Sequence, residues 1–369
     1  MPKQRSERDP AERGGRNTSR RRYLTAAGAA GVAALAGCSG GGGGDTATEA
    51  SVGDSTATET GTPTATPMAD SMTIFHAGSL APPFSAAEPA FEEKYGIEVN
   101  REPKGSVAST KKITQQGRSA DVLGVSDFRL IRNRVLPEYG NWYTVFTTNS
   151  MSIQYREDSK GAADISNDNW WEVLSRDGVT IGHADPAVDP GGYRAVMTQQ
   201  LGKIPFEGSA LYDDATYQKL RENSIVPTGT ETNLKGQLET GKLDYAIYYQ
   251  SISSTTDRPY IDLQPEVDLS KATSKYAEHY AKAKVETDSG TFTGAPIAYG
   301  MTVPSVARAP GRGAQWVEFM LHGEGQQILK DEGLVPVEPA VVPQSGSESV
   351  PSNVIEYAAA KSNLGPLQL

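Results

Sequence analysis

From Met72 onward, short runs rich in β-branched and aromatic residues alternate with stretches whose apolar positions recur every three or four residues. Met72-Thr-Ile-Phe-His76 reads as a strand. Phe84, Ala87, Phe91 and Tyr95 then share one helical face, and 97–100 returns to strand. The stretch 107–117 reads as a helix ended by Gly117, followed by a buried strand over 120–125. This βαβ order predicts an α/β fold with a mostly parallel sheet flanked by helices. A second set follows, with strand 179–183, helix 192–201, helix 234–240 and strand 244–249. The strand 298–303 and a helix over 314–329 read as a return to the first unit. The expectation is therefore two α/β lobes, 71–153 with 255–369 and 154–254 between them, with a ligand cleft where they meet.

Before residue 71 the pattern is different. Ser19-Arg20-Arg21-Arg22-Tyr23-Leu24 opens into the apolar run 26–36, too short to span a bilayer, which ends Leu35-Ala36-Gly37-Cys38. Paired Arg20 and Arg21 followed by this run match a twin-arginine export signal over 1–37, and the ending resembles a lipobox, with Cys38 as the lipidated residue. One acyl chain holds a protein only marginally, so at least two are expected on the mature terminus. Residues 38–70 are Gly, Thr, Ser, Ala and Pro without apolar periodicity, and read as a disordered tether. The predicted location is the outer face of the cell membrane.

Charge sharpens the division. The first 37 residues hold eight Lys/Arg and three Asp/Glu, leaving 27 basic against 42 acidic groups for the remainder. An acidic body argues against nucleic acid, whose phosphates it would repel. With one cysteine in 369 residues, an internal disulfide is excluded. The four histidines, His76, His183, His279 and His322, show no metal spacing, and no serine sits in a nucleophile elbow, so the sequence offers no catalytic constellation. A monomer is expected.

Three turns carry chemistry. Ala77-Gly78-Ser79-Leu80 and Lys104-Gly105-Ser106-Val107 each place Gly-Ser where a strand ends and a helix begins. There a hydroxyl and free N–H donors can hold an oxyanion, although serine also serves as an ordinary N-cap. The third turn, Asp185 through Asp189-Pro-Gly-Gly-Tyr-Arg194, reads equally as a Pro-Gly turn capped by aspartate. Arg194 could compensate buried negative charge or merely solvate its helix, and the tryptophans, Trp170 and Trp171 among them, read as packing residues.

The ordered set His76-Ala-Gly-Ser-Leu80, Gly105-Ser-Val107, Lys112-Ile-Thr114 with Ala120-Asp-Val-Leu123, Asp189-Pro-Gly-Gly-Tyr-Arg194, 238–245 and Tyr299-Gly-Met-Thr-Val-Pro304 resembles the archaeal-type molybdate/tungstate-binding proteins of ABC transporters. These are class II periplasmic-type binding proteins, and the resemblance runs from Met72 to the C-terminal helix. It implies molybdate or tungstate as ligand, with an ABC permease and its ATPase as partners. It also implies Ser79 and Ser106 as donors of the first lobe. From the second lobe it brings an amide near Gly191, the Asp189 carboxylate, the Glu231 backbone N–H and the Tyr249 hydroxyl. Six-coordinate members carry a second carboxylate just before that tyrosine, where this chain has Tyr248, so four-coordinate binding stands beside six-coordinate binding, and Glu231 is an alternative carboxylate. Sulfate is a rival ligand, as is ferric iron on Tyr248 and Tyr249, the latter opposed by the tendency of adjacent strand residues to face opposite sides.

Overall fold

A computed structural model describes residues 69–227 and 231–369, with the side chains of residues 231 and 232 left out. Cys38, Arg20, Arg21 and nearly all of the expected tether lie outside the described residues.

The chain forms β1 (Ser71–His76), β2 (Glu98–Pro103), β3 (Val122–Val125) and β4 (Thr144–Thr148), with helices α1 (Ala81–Tyr95) and α2 (Ser106–Thr114) between the first three. It then forms β5 (Met151–Tyr155), α3 (Trp170–Leu174), β6 (Ile181–Gly182), α4 (Pro190–Gly202), α5 (Asp214–Asn223), β7 (Ser224–Ile225), α6 (Glu231–Glu239), β8 (Tyr245–Tyr249), α7 (Gln250–Ser254) and β9 (Tyr260–Asp262). After these come α8 (Ser274–Tyr280), the hairpin β10 (Lys284–Thr287) with β11 (Gly290–Thr293), β12 (Ala298–Thr302), α9 (Pro310–Leu321), α10 (Gly323–Asp331), β13 (Val335–Pro343) and β14 (Ala358–Lys361).

Two mixed sheets result. The first runs β14-β13-β4-β12-β3-β1-β2 and the second β7-β6-β8-β5-β9. In the first, β1 pairs parallel with β2 and β3, while β12 runs antiparallel to β3 and β4. In the second, β8 is parallel to β6 and antiparallel to β5. The two parallel cores therefore deliver β1, β2 and β3 of one lobe, and β6 and β8 of the other, to turns that open toward the same seam.

Local chemistry explains the helix limits. Prolines in the first turn of α1 cost no hydrogen bond there, and Gly96, at φ +60, ends the helix by donating its N–H to the Glu92 carbonyl at 2.9 Å. Helix α2 ends three residues before Gly117, and the Arg118 N–H folds back to the Lys112 carbonyl at 2.9 Å. The core under the first sheet is aromatic: Phe84 and Phe91 of α1 meet the buried Trp316 of α9 edge-on, with centroids 5.3 and 5.0 Å apart. In the second lobe Trp170 is fully buried and donates its indole N–H to Gln264 at 3.0 Å.

Two expectations change. The single helix over 314–329 is two helices, because His322 is extended (φ −149°, ψ 170°) and Gly323 takes φ +55. A Cβ on Gly325 would stand 2.1 Å from the Phe319 carbonyl oxygen, so glycine also permits the tight fold-back. The second sheet is wider than 154–254: it begins at Met151 and keeps Tyr260–Asp262 as its edge. Pairing of β5 with both β8 and β9 pulls these residues across. The chain crosses at Asn149, whose side-chain amide donates to Ser251 Oγ at 2.8 Å and Tyr299 Oη at 3.1 Å.

Candidate ligand-binding site

In the first lobe β1 delivers His76 and the chain turns at once through Gly78–Leu80. Ser79 is 2% exposed, and its Oγ accepts from the Tyr299 hydroxyl at 3.0 Å. Gly105 precedes the first residue of α2, Ser106, which is fully buried. The Ser126 N–H, just beyond β3, donates to Ser106 Oγ at 3.0 Å. Both expected serines thus stand at the sheet edge, with the positive end of the α2 dipole beside Ser106.

In the second lobe Asp189 caps α4, its Oδ1 accepting the Gly191 N–H at 2.9 Å. That N–H, expected to serve a ligand, serves the carboxylate here. The Asp189 turn meets α2 across the seam: the Ala108 N–H donates to the Val188 carbonyl at 3.3 Å. A Cβ on Gly105 would lie 2.2 Å from the Val188 oxygen and 3.0 Å from Asp189 Cβ, so only glycine admits this approach.

Tyr249, at the end of β8, closes the circuit. Its ring lies 5.8 Å from that of Tyr299, and its oxygen accepts from Arg194. Arg194, 2% exposed on α4, also donates to the Ser126 carbonyl at 2.7 Å and approaches Asp127 at 3.5 Å. Contacts therefore run without a break from Ser79 through Tyr299, Tyr249, Arg194 and Ser126 to Ser106, and the neighbouring Gly105 touches the Asp189 turn.

Charge in this ring is settled locally. Burial would raise the Asp127 carboxyl, but Arg129 and Arg194 with the Tyr193 hydroxyl outweigh it and hold the group below the usual carboxylate range. Burial opposes the Arg194 charge, and the surroundings of Tyr249, Tyr193 and Asp127 overcome it, keeping the guanidinium protonated. His76 ends β1 and His183 directly follows β6, and the two are treated alike. Each bonds through Nδ1 to the carbonyl of the following alanine, at 2.8 and 2.7 Å, and burial pushes both down to about 4.

Tyr248 does not join the ring. It faces the opposite side of β8, packs with Leu234, Leu238 and Leu243 in a separate cluster and donates to Gln154. Period-two geometry forces this once Tyr249 faces α4, so Tyr248 and Tyr249 do not present two phenolates to one site. Glu231 is the first residue of α6, which packs against the Gly78–Leu80 turn. Sequence reading did not select Ser126, Asp127 or Asn149, and it named Tyr299 only within a motif, not as a site residue. Partners such as Ser79 and Tyr299 stand 220 positions apart, and no local pattern links them.

Residues 72–335 match the model of a family described as bacterial extracellular solute-binding proteins. An uncharacterized solute-binding protein of Methanoculleus marisnigri is 35% identical over 323 residues, covering 79% of this chain and 87% of its own. The molybdate/tungstate-binding protein WtpA of Pyrococcus abyssi is 35% identical over 288 residues, covering 70% and 83%. Among solved structures, the sulfate-binding protein SubI of Mycobacterium tuberculosis matches with a TM-score of 0.53 at 15% identity, covering 78% of this chain and 93% of that one, a likeness of fold.

Proposed function

The chain belongs to the bacterial extracellular solute-binding protein family, the ligand-capturing part of ABC-type importers, and on that premise we propose that it captures molybdate or tungstate between its lobes. The observation that carries this reading is the ring of buried hydroxyls and N–H groups, Ser79, Tyr299, Tyr249 and Ser106, closed against the Asp189-Pro-Gly-Gly turn. Fixed donors at helix starts suit an anion that carries no proton and asks only for acceptance of its charge. The likeness to the WtpA protein of Pyrococcus abyssi supports these two metals over other oxyanions.

In this reading Ser79, Ser106 and Tyr249 donate to the oxyanion, the Glu231 N–H adds a donor from α6, and Asp189 stays a helix cap. A four-coordinate, hydrogen-bonded anion follows, because the residue before Tyr249 is Tyr248 and it faces away. Closing the lobes binds the ion, and parting them at the permease, driven by its ATPase, releases it. The twin-arginine leader and a lipid on Cys38 would hold the protein outside the membrane. Mass spectrometry of the membrane fraction, with Cys38→Ala released to the medium, tests that.

The test of function is calorimetric titration of the purified protein with molybdate, tungstate, sulfate and ferric citrate. One-to-one binding of molybdate or tungstate with sulfate silent is the expected result. Heat from sulfate or iron alone would overturn the ligand assignment and leave the family.

A further inference from the structure

Arg194 sits five residues after the helix cap, buried, with no solvent to share its charge. Its guanidinium donates to the Tyr249 oxygen and to the Ser126 carbonyl, and lies 3.5 Å from Asp127. Arginine has donors and no acceptor, so toward it the Tyr249 oxygen can only accept, which fixes the direction of that hydrogen bond. Ser126 is engaged from both sides. Its carbonyl takes Arg194 and its N–H goes to Ser106 Oγ. Asp127 in turn is shared by Arg129, Arg194 and the Tyr193 hydroxyl.

We infer that Arg194 is the positioning residue of the site: it fixes the Tyr249 oxygen in place at the seam and ties it through Ser126 to Ser106 of the other lobe. The inference rests on the oxyanion reading and adds to it a residue that need not touch the ligand. Because Arg194 acts through Tyr249, removing both should cost little more than removing one.

The experiment is a titration of tungstate and molybdate into the wild type, Y249F, R194M, R194K and the R194M/Y249F double variant, with thermal unfolding of each. R194M and Y249F are each expected to weaken binding roughly 10- to 100-fold, the range of a charge-assisted hydrogen bond. The double variant is expected to fall no more than about threefold below the weaker single one, and R194K, which keeps the charge, to lie between R194M and wild type. Multiplied losses in the double variant, or wild-type affinity in R194M, would overturn the role of Arg194 alone. If R194M does not fold, R194K and R194K/Y249F are held to the same non-additivity criterion. A wild type that binds neither anion would overturn the oxyanion reading and this inference together.

Discussion

Gly105 has φ −55° and ψ 141°, a conformation open to any residue, so its missing side chain serves space rather than backbone freedom. Gly105→Ala would drive a methyl into the Val188 carbonyl. The expected cost of that overpacking is about 1–3 kcal/mol, read as a roughly 10- to 100-fold loss of tungstate affinity in calorimetry. Unchanged affinity would mean the lobes need not meet there. The histidines make a second prediction at this scale. The unfolded chain takes up protons on His76 and His183 near pH 6.5 and the folded protein only at about 4. Each therefore contributes ~3 kcal/mol of stability that is present above pH 6.5 and lost as pH falls toward 4. Asp268 runs the other way: burial raises it to about 6, so its contribution is present in acid and lost as pH rises through 6. Urea unfolding between pH 7 and 4.5 should show a net loss on acidification, and Asp268→Asn should steepen it below pH 6. A flat profile in the wild type would contradict the burial of the two rings.

Among the elements, the hairpin of β10 and β11 spans the two lobes. Gln200 of α4 exchanges two hydrogen bonds with the Lys284 backbone, at 2.8 and 3.0 Å, and Tyr193 stacks on Phe292 at 4.2 Å. Toward the first lobe, Arg129 donates to the Thr293 carbonyl and Lys111 to Ser289 Oγ, both at 2.9 Å. Phe292→Ala should lower stability by about 3–5 kcal/mol, measured by urea unfolding. A loss under 1 kcal/mol would show that the hairpin is not a structural tie. Elements such as β1, α1 and β8 were legible because their apolar period extends over several residues. Strand β6, Ile181–Gly182, falls inside the strand read over 179–183, whereas β7 has two residues and no period to read. In β5 the alternation Met-Ser-Ile-Gln-Tyr is plain, yet Ser152 and Gln154 are fully buried, satisfied by Ser253, Tyr248 and Thr256. Periodicity reports polarity there, and the buried partners that neutralise it come from distant segments. The Gly-Ser turns and the Asp189 cap were visible for the same local reason, whereas Arg194 became interpretable only beside Tyr249 and Asp127.

For the molecule as a whole, the charge excess sets how it answers salt. With a net charge of −10 for the chain, raising KCl from about 0.1 to 1 M shortens the Debye length from ~10 to ~3 Å and screens the self-repulsion. The urea midpoint should rise over that range, and a fall would mean that surface ion pairs such as Arg118 with Glu102 outweigh the repulsion. The seam between the lobes has a further consequence, for speed. Ala108 N–H with the Val188 carbonyl, Tyr193 with Asp127, and Arg194 with Ser126 are contacts of protein with protein that hold the lobes together on their own account. An arriving ion must wait for them to part. In stopped-flow mixing the observed capture rate should therefore level off as tungstate is raised, at the frequency with which the lobes open, and Gly105→Ala, which loosens the seam, should lift that ceiling even as it shortens the residence of the ion.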